Sequence, residues 1–135
     1  MGSEIRALSK RYPEYTFLFT DFVELDITNH KKVEQFINEN KVNSIVTCAA
    51  YSAVDKAETK YEQSDQLNHL AEDNFARIAN TYQIKVVHIS TDYVFDGIQH
   101  RSYMESDPPN SQSVYRKTKL AGAAAMLKVH PGIPS

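Results

Sequence analysis

Two short, almost continuously apolar segments constrain the fold most: Ser44-Ile45-Val46-Thr47-Cys48 and Lys85-Val86-Val87-His88-Ile89-Ser90. Both are short enough to read as strands and rich in β-branched residues, which suit a pleated surface. Neither shows the polar alternation of a half-solvated strand, so both faces are expected to be covered. Tyr15-Thr16-Phe17-Leu18-Phe19 reads as another buried strand ending at Asp21, and a short strand is expected over 23–27. Helical patterns separate them. One covers 4–11, with Ile5 and Leu8 on one face and Pro13 as its stop. Another runs from Thr28, an N-cap candidate, through Val33, Phe36 and Ile37. Two more span about 61–68 and 70–82, and the last, over 114–129, follows a loop with Gly97, Pro108 and Pro109. Alternating strands and helices predict an α/β domain with a parallel, doubly wound sheet, occupying 1–135 as one unit.

In such sheets ligands bind beyond the carboxyl ends of the strands. Polar residues fall at those ends: Asp21, then Ala49-Ala50-Tyr51-Ser52, then Thr91-Asp92. Further on, Tyr115 and Lys119 stand one helical turn apart on one face. An ammonium there favours phenolate, and a phenol so tuned can exchange a proton with a carbonyl oxygen near neutral pH. Spacings of this kind arise by chance roughly 0.6 times in a chain of this composition, so the pair needs its company to mean anything.

A net charge of −2 gives no basis for nucleic-acid or membrane attraction. Cys48 is the only cysteine, which predicts a reducing, cytoplasmic setting and no thiol-based zinc site. No apolar run nears the ~20 residues of a membrane span, no leader opens the chain, and Arg6 breaks a myristoylation pattern after Met1-Gly2. A soluble protein is expected. The five histidines form no metal-ligand spacing. Several residues also have plain structural readings. Cys48, His88, Tyr15, Phe17 and Phe19 are core candidates; Asp21 suits a turn, Asp26 a helix start, and Ser90-Thr91-Asp92 a strand-end turn. Asp55, Lys56 and Glu58 read as a solvated helix start.

Three strings then carry a resemblance: Ile45-Val46-Thr47-Cys48-Ala49-Ala50-Tyr51-Ser52-Ala53-Val54-Asp55-Lys56-Ala57-Glu58, Ser90-Thr91-Asp92-Tyr93-Val94-Phe95-Asp96-Gly97, and Val114-Tyr115-Arg116-Lys117-Thr118-Lys119-Leu120-Ala121-Gly122. In order and spacing they resemble the dTDP-4-dehydrorhamnose reductases, extended short-chain dehydrogenase/reductases with a Rossmann domain. The match runs from Gly2 to about Lys128 and covers less than half of a typical member. The resemblance implies that Tyr115 protonates the C4 carbonyl oxygen as hydride arrives. It implies that Lys119 binds the nicotinamide ribose and tunes that phenol. Thr91 would hydrogen-bond the substrate oxygen, and Asp92 matches a substrate-contacting position. Ala50, Tyr51 and Ser52 would run beside the cofactor, Asp26 and Ile27 would approach the adenine, and Asp21 would bind the adenosine ribose. Gly2 to Asp21 is 19 positions, close to the spacing between phosphate loop and ribose-binding acid. That acid, followed by Phe22 rather than arginine, would repel a 2′-phosphate, so NADH should serve at least as well as NADPH.

The departures are specific. The glycine-rich pyrophosphate loop is not in the chain; Gly2-Ser3-Glu4-Ile5 resembles its last glycine and the following helix. The first strand is expected upstream and the sugar-nucleotide domain downstream of Ser135, which leaves the Rossmann sheet incomplete. Arg116 stands where glycine is usual, Ala123 where glutamate is usual, and Thr47 where asparagine is usual. In strand order 3-2-1-4-5 the first strand lies between segments 16–19 and 44–48. Each buried unpaired backbone group costs about 1–3 kcal/mol, against a domain stability of ~5–15 kcal/mol. The chain alone is therefore expected to be marginally stable, to bind NADH weakly and not to be a competent reductase. Its flanking strands would close up, borrow a strand or stand apart.

The family implies reduction of dTDP-4-dehydro-6-deoxy-L-mannose to dTDP-L-rhamnose with NADH or NADPH, in nucleotide-sugar biosynthesis. Mg2+ is compatible with the family, although the chain shows no ligand set for it. A dTDP-sugar is the implied partner, and a homo-oligomer is compatible. Two alternatives stay open. One is a non-catalytic regulatory or binding subunit on the same fold, as the regulatory β subunit of methionine adenosyltransferase resembles. The other is an extended reductase or epimerase for a different nucleotide sugar. Thr91, Tyr115 and Lys119 together favour an enzyme.

Overall fold

The computed structural model describes residues 1–91, 95, 98, 100–104, 107 and 113–129. Among them the apolar segments at 44–47 and 85–88 form a parallel pair, β1 (Ser44–Thr47) and β2 (Lys85–His88). The register sets Ile45 against Val86 and Thr47 against His88. Side chains alternate across a strand. Ile45, Thr47, Val86 and His88 thus share the covered face, while Val46 and Val87 share the other and are 46% and 53% exposed. The expectation of two covered faces is corrected here. A fully buried valine contributes ~1.5–3 kcal/mol, of which Val46 and Val87 realise only part.

The helices are α1 (Gly2–Ser9), α2 (His30–Glu39), α3 (Val54–Ala57), α4 (Tyr61–Asp65), α5 (Ala71–Tyr82) and α6 (Val114–Val129). A π turn, Gln66–Leu70, joins α4 to α5. The two helical stretches expected around position 69 are thus one run with a wider turn inside it. Val33 and Ile37 of α2, Phe75, Ile78 and Ala79 of α5, and Met126 of α6 form the core with Ile84 and Val86. Their i, i+3, i+4 spacing is what lets one face of each helix do this. Leu25, Ile27, Val42 and Ile45 pack against that core.

Local chemistry sets the boundaries. Asn29, not Thr28, caps α2: its side chain accepts from the Lys32 N–H at 3.2 Å. Thr28 instead gives its N–H and hydroxyl to Asp26 Oδ1, at 2.9 and 2.7 Å. After α5, Gln83 adopts a left-handed conformation (φ 56°), and the Ile84 N–H closes the cap on the Ala79 carbonyl at 2.9 Å. That turn swings the buried Ile84 into β2.

Segments 15–19 and 23–27 are not strands. Over 15–20 the chain has no ladder partner among the described residues. Phe17 stacks on Phe19 at 5.9 Å and meets Tyr15 edge-on at 6.3 Å, and Tyr15 is 65% exposed. These rings cover one another on the surface instead of filling the core. Residues 21–25 close a turn, with the Leu25 N–H on the Asp21 carbonyl at 2.8 Å. Among the described residues no helix is long and apolar enough to cross a membrane.

Candidate active site

Two side chains hold the start of α6. Glu58 Oε1 accepts from the Val114 N–H at 2.8 Å, and Ser113 Oγ accepts from the Arg116 N–H at 3.3 Å. Both satisfy donors that a helix N-terminus leaves open, and the carboxylate also suits the helix dipole. Tyr115, half-buried, lies in the first turn, with Lys119 one turn on. Lys119 is 2% exposed and donates from Nζ to the Ile89 carbonyl at 2.6 Å. This bond ties α6 to the carboxyl end of β2, two residues before the half-buried Thr91. Burial pushes the Lys119 ammonium below the ordinary lysine range, and the Glu72 carboxylate opposes that shift. The structure thus gathers Lys119, its helix neighbour Tyr115 and the strand end leading to Thr91. Asp92 lies outside the described residues.

Beneath this point is a buried polar group. His88 Nδ1 sits 3.0 Å from Glu72 Oε2 and 3.2 Å from Thr47 Oγ1. The carboxylate oxygen is at ion-pair distance but has no hydrogen bond, and His88 Nε2 is buried without one. His88 is therefore not the fully satisfied core histidine that its strand suggested.

A second network joins α6 to the loop after β1. Asn68, in the π turn and 1% exposed, accepts from the Tyr51 N–H at 2.8 Å and donates to the Tyr51 carbonyl at 3.3 Å. Its Nδ2 also donates to Ser64 Oγ at 3.3 Å and Thr118 Oγ1 at 3.2 Å. The Ser64 and Thr118 hydroxyls are 3.0 Å apart, and Thr118 donates to the Tyr115 carbonyl at 3.0 Å. One amide thereby fixes Tyr51 relative to the helix that carries Tyr115 and Lys119. π turns inside α-helices often occur at functional sites.

The other expected residues fall into two groups. Gly2 opens α1 next to the end of β1: a Cβ built on it would lie 3.9 Å from the Cβ of Cys48. Gly2 thus lies at the carboxyl end of β1, which leads into Ala50, Tyr51 and Ser52. Cys48 itself is exposed, since β1 ends at Thr47, and is not a packing residue. A cleft of about 410 Å³ opens between Gly2, Ser3, Arg6, Phe19 and Thr20. The Arg6 guanidinium lies 4.8 Å above the Phe19 ring. The α1 N-terminus and this cation suit phosphate groups, so the residues present fit the diphosphate side of a dinucleotide. Asp21 and Asp26, in contrast, are engaged locally. Asp21 Oδ1 accepts from the Val23 and Glu24 N–H groups at 2.9 and 3.3 Å, and Asp26 holds Thr28. Ile27 packs on the core. Among the described residues no group of three or more His, Cys, Asp or Glu is placed to hold a metal ion.

Asn68, Thr118, Glu72 and Glu58 escaped the sequence reading as site residues. A buried polar residue in a helical pattern looks the same as an exposed one when read from sequence. The available signal was Thr118 lying between Tyr115 and Lys119, on the helix that any proton-transfer role must hold still.

Comparison with known proteins places the chain as a whole. The model of the RmlD substrate binding domain family matches residues 1–133. A dTDP-4-dehydrorhamnose reductase of Aggregatibacter actinomycetemcomitans is 35% identical over 131 residues, covering 97% of this chain and 45% of that protein. The crystal structure of a dTDP-4-dehydrorhamnose reductase from Clostridium acetobutylicum superposes with a TM-score of 0.86 at 39% identity, over 93% of this chain and 46% of that one. That of the Bacillus anthracis reductase in complex with NADP superposes at 0.84 with 34% identity, over 93% and 45%. The chain thus spans less than half the length of these relatives, and its fold is the incomplete Rossmann-type α/β sheet anticipated above. With the match extending over nearly every residue, from the α1 glycine to beyond the Tyr115–Lys119 helix, the chain belongs to the RmlD substrate binding domain family.

Proposed function

We propose that these residues form the nucleotide-binding part of a dTDP-4-dehydrorhamnose reductase, which reduces dTDP-4-dehydro-6-deoxy-L-mannose to dTDP-L-rhamnose with NADH or NADPH. The observation that carries this reading is the buried Lys119, hydrogen-bonded to the end of β2 and one helical turn from Tyr115. A surface helix has no use for a buried ammonium at that place, whereas proton transfer from a phenol does.

The nicotinamide ring, when bound, supplies the hydride. Tyr115 gives its phenolic proton to the C4 oxygen as that oxygen gains charge. Lys119 keeps a positive charge beside the phenolate left behind and donates to the nicotinamide ribose. Thr91 donates to the same substrate oxygen and orients it toward Tyr115, while Asp92 contacts the sugar. Gly2, Ala50, Tyr51 and Ser52 line the dinucleotide, with Asp21, Asp26 and Ile27 toward its adenosine end. General acid catalysis of this kind contributes roughly 10²–10⁴-fold.

The test is a chimera in which residues 1–133 replace the matching segment of the Aggregatibacter actinomycetemcomitans reductase. It should reduce the dTDP-4-keto sugar, and Tyr115→Phe should lower kcat by roughly 10²–10⁴-fold with NADH affinity nearly unchanged. A folded chimera that binds NADH but turns over no sugar would favour a non-catalytic binding subunit. Turnover of a different nucleotide sugar alone would move the assignment to another extended reductase.

A further inference from the structure

We propose that Glu58, the C-cap residue of α3, is a positioning residue for Tyr115: it holds the first turn of α6 through the Val114 N–H, so that the phenol keeps its place beside Lys119. The inference rests on the reading of Tyr115 as the proton donor, and it gives Glu58 no contact with substrate or cofactor.

A helix leaves its first N–H groups without partners of their own. In α6, Ser113 meets one of them locally, taking the Arg116 N–H at 3.3 Å as an N-cap side chain does. Glu58 Oε1 meets another from 56 positions away, taking the Val114 N–H at 2.8 Å. The second bond is a tertiary contact, and it fixes where α6 begins. Glu58 is exposed, where water serves a carboxylate equally well; the open N–H at the positive end of a helix is what holds it there. Its backbone is anchored in turn. Ala57, the residue before it, is fully buried, and the Ala57 N–H bonds to the Ala53 carbonyl at 2.9 Å.

Tyr115 therefore stands between two anchors. Before it is Val114, tied to α3. Three residues after it is the buried Thr118, whose hydroxyl lies 3.0 Å from Ser64 Oγ of α4, accepts from Asn68 Nδ2 at 3.2 Å and donates to the Tyr115 carbonyl at 3.0 Å. Lys119 follows, tied to the Ile89 carbonyl at 2.6 Å. Packing keeps Thr118 and Lys119 in place, since both are buried, whereas the half-buried Val114 depends more on its hydrogen bond. A general acid works only within hydrogen-bond reach, roughly 2.6–3.2 Å, of the atom it protonates. A fraying first turn would carry the phenol out of that range and leave the segment at 50–52 where it is. Loss of the Glu58 bond should thus lower kcat and spare the KM for NADH.

The test uses the chimera carrying residues 1–133. Glu58→Ala should lower kcat by roughly 10- to 100-fold, the scale of an ångström-sized misplacement, with the KM for NADH near wild type. Glu58→Gln, which keeps an acceptor, should retain most of the turnover. Val114→Pro deletes the donor instead, and proline suits the first position of a helix, so α6 should persist in it. This variant should reproduce the Glu58→Ala loss, and the double variant should be no slower than either, because both remove one bond. An unchanged kcat in Glu58→Ala, or losses that add in the double variant, would overturn the proposal. A readout without turnover separates it from the functional reading. With 3-fluorotyrosine incorporated, the 19F signal of Tyr115, assigned by its loss in Tyr115→Phe, should shift or broaden in Glu58→Ala while that of Tyr82 on α5 stays. That change in a chimera without sugar turnover would remove the functional reading and leave the anchor standing. An unmoved Tyr115 signal would overturn the anchor itself.

Discussion

Gly122 of α6 packs so tightly on the π turn that a Cβ added to it would stand 2.1 Å from the carbonyl oxygen of Asn68. The obstacle is backbone, which cannot rotate aside as a side chain can. It also belongs to the residue whose amide clamps Tyr51 and Thr118. Gly122→Ala should therefore destabilise the chain. Helix propensity favours alanine by about 1 kcal/mol, but overpacking of this kind costs about 1–3 kcal/mol, with shifts in the surrounding backbone. A lowered urea midpoint in chemical unfolding is the expected result. A midpoint at or above wild type would show that α6 and the π turn separate at little cost.

Asn68→Ala should act on the loop after β1 as well as on stability. It leaves the Tyr51 N–H and carbonyl, Ser64 and Thr118 short of the partner they share. A buried group left unsatisfied costs about 1–3 kcal/mol. Amide hydrogen exchange at Tyr51 should accelerate well beyond the change at Val86 in the core. Equal acceleration at both would mean that the variant merely unfolds more often.

The readable parts of this molecule are those whose cause is local. Segments 44–47 and 85–88 are β-branched and apolar, and both are strands. The 114–129 helix was legible after its Gly- and Pro-containing loop, and the Tyr115–Lys119 spacing from one helical turn. Segment 15–19 reads the same way as β1, yet a strand needs a neighbour, and a ladder partner is not a property of the string itself. Its rings accordingly stack on the surface. The Asn68 network joins positions 51, 64, 68 and 118, and no period in the sequence connects them. The π turn is equally silent, since one extra residue in a helical turn leaves composition unchanged. Asp21 was legible as a turn former, and the structure places it in one; Asp26, read as a helix start, instead holds Thr28 ahead of a helix that Asn29 caps.

Glu58→Gln should loosen the first turn of α6. The carboxylate accepts the Val114 N–H at 2.8 Å, at the end of the helix where negative charge is favoured. The neutral amide keeps an acceptor but loses the charge, for an effect of roughly 0.3–1 kcal/mol. Faster exchange at the Val114 amide, with a wild-type to variant difference that shrinks as salt is added, is the expected pattern. A difference independent of salt would point to lost hydrogen-bond geometry and not to the dipole.

The buried Lys119 makes stability depend on alkaline pH in a defined direction. Its folded-state pKa lies below the ordinary value of 10.5, with burial as the larger cause and Glu72 opposing it. Between that lowered value and 10.5, the unfolded chain holds more protons on this group than the folded one. Stability from this residue therefore rises with pH across that window, and is lowest below it, where both states are charged. Other lysines and tyrosines titrate in the same range, so the measurement is a difference. Urea midpoints of wild type and Lys119→Met, which keeps the apolar stem, should be compared from pH 7 upward to about 10.5. Wild type should gain relative to the variant as pH rises. A gap that stays constant, or closes in the variant's favour, would mean that Lys119 carries its charge in the folded chain as easily as in water.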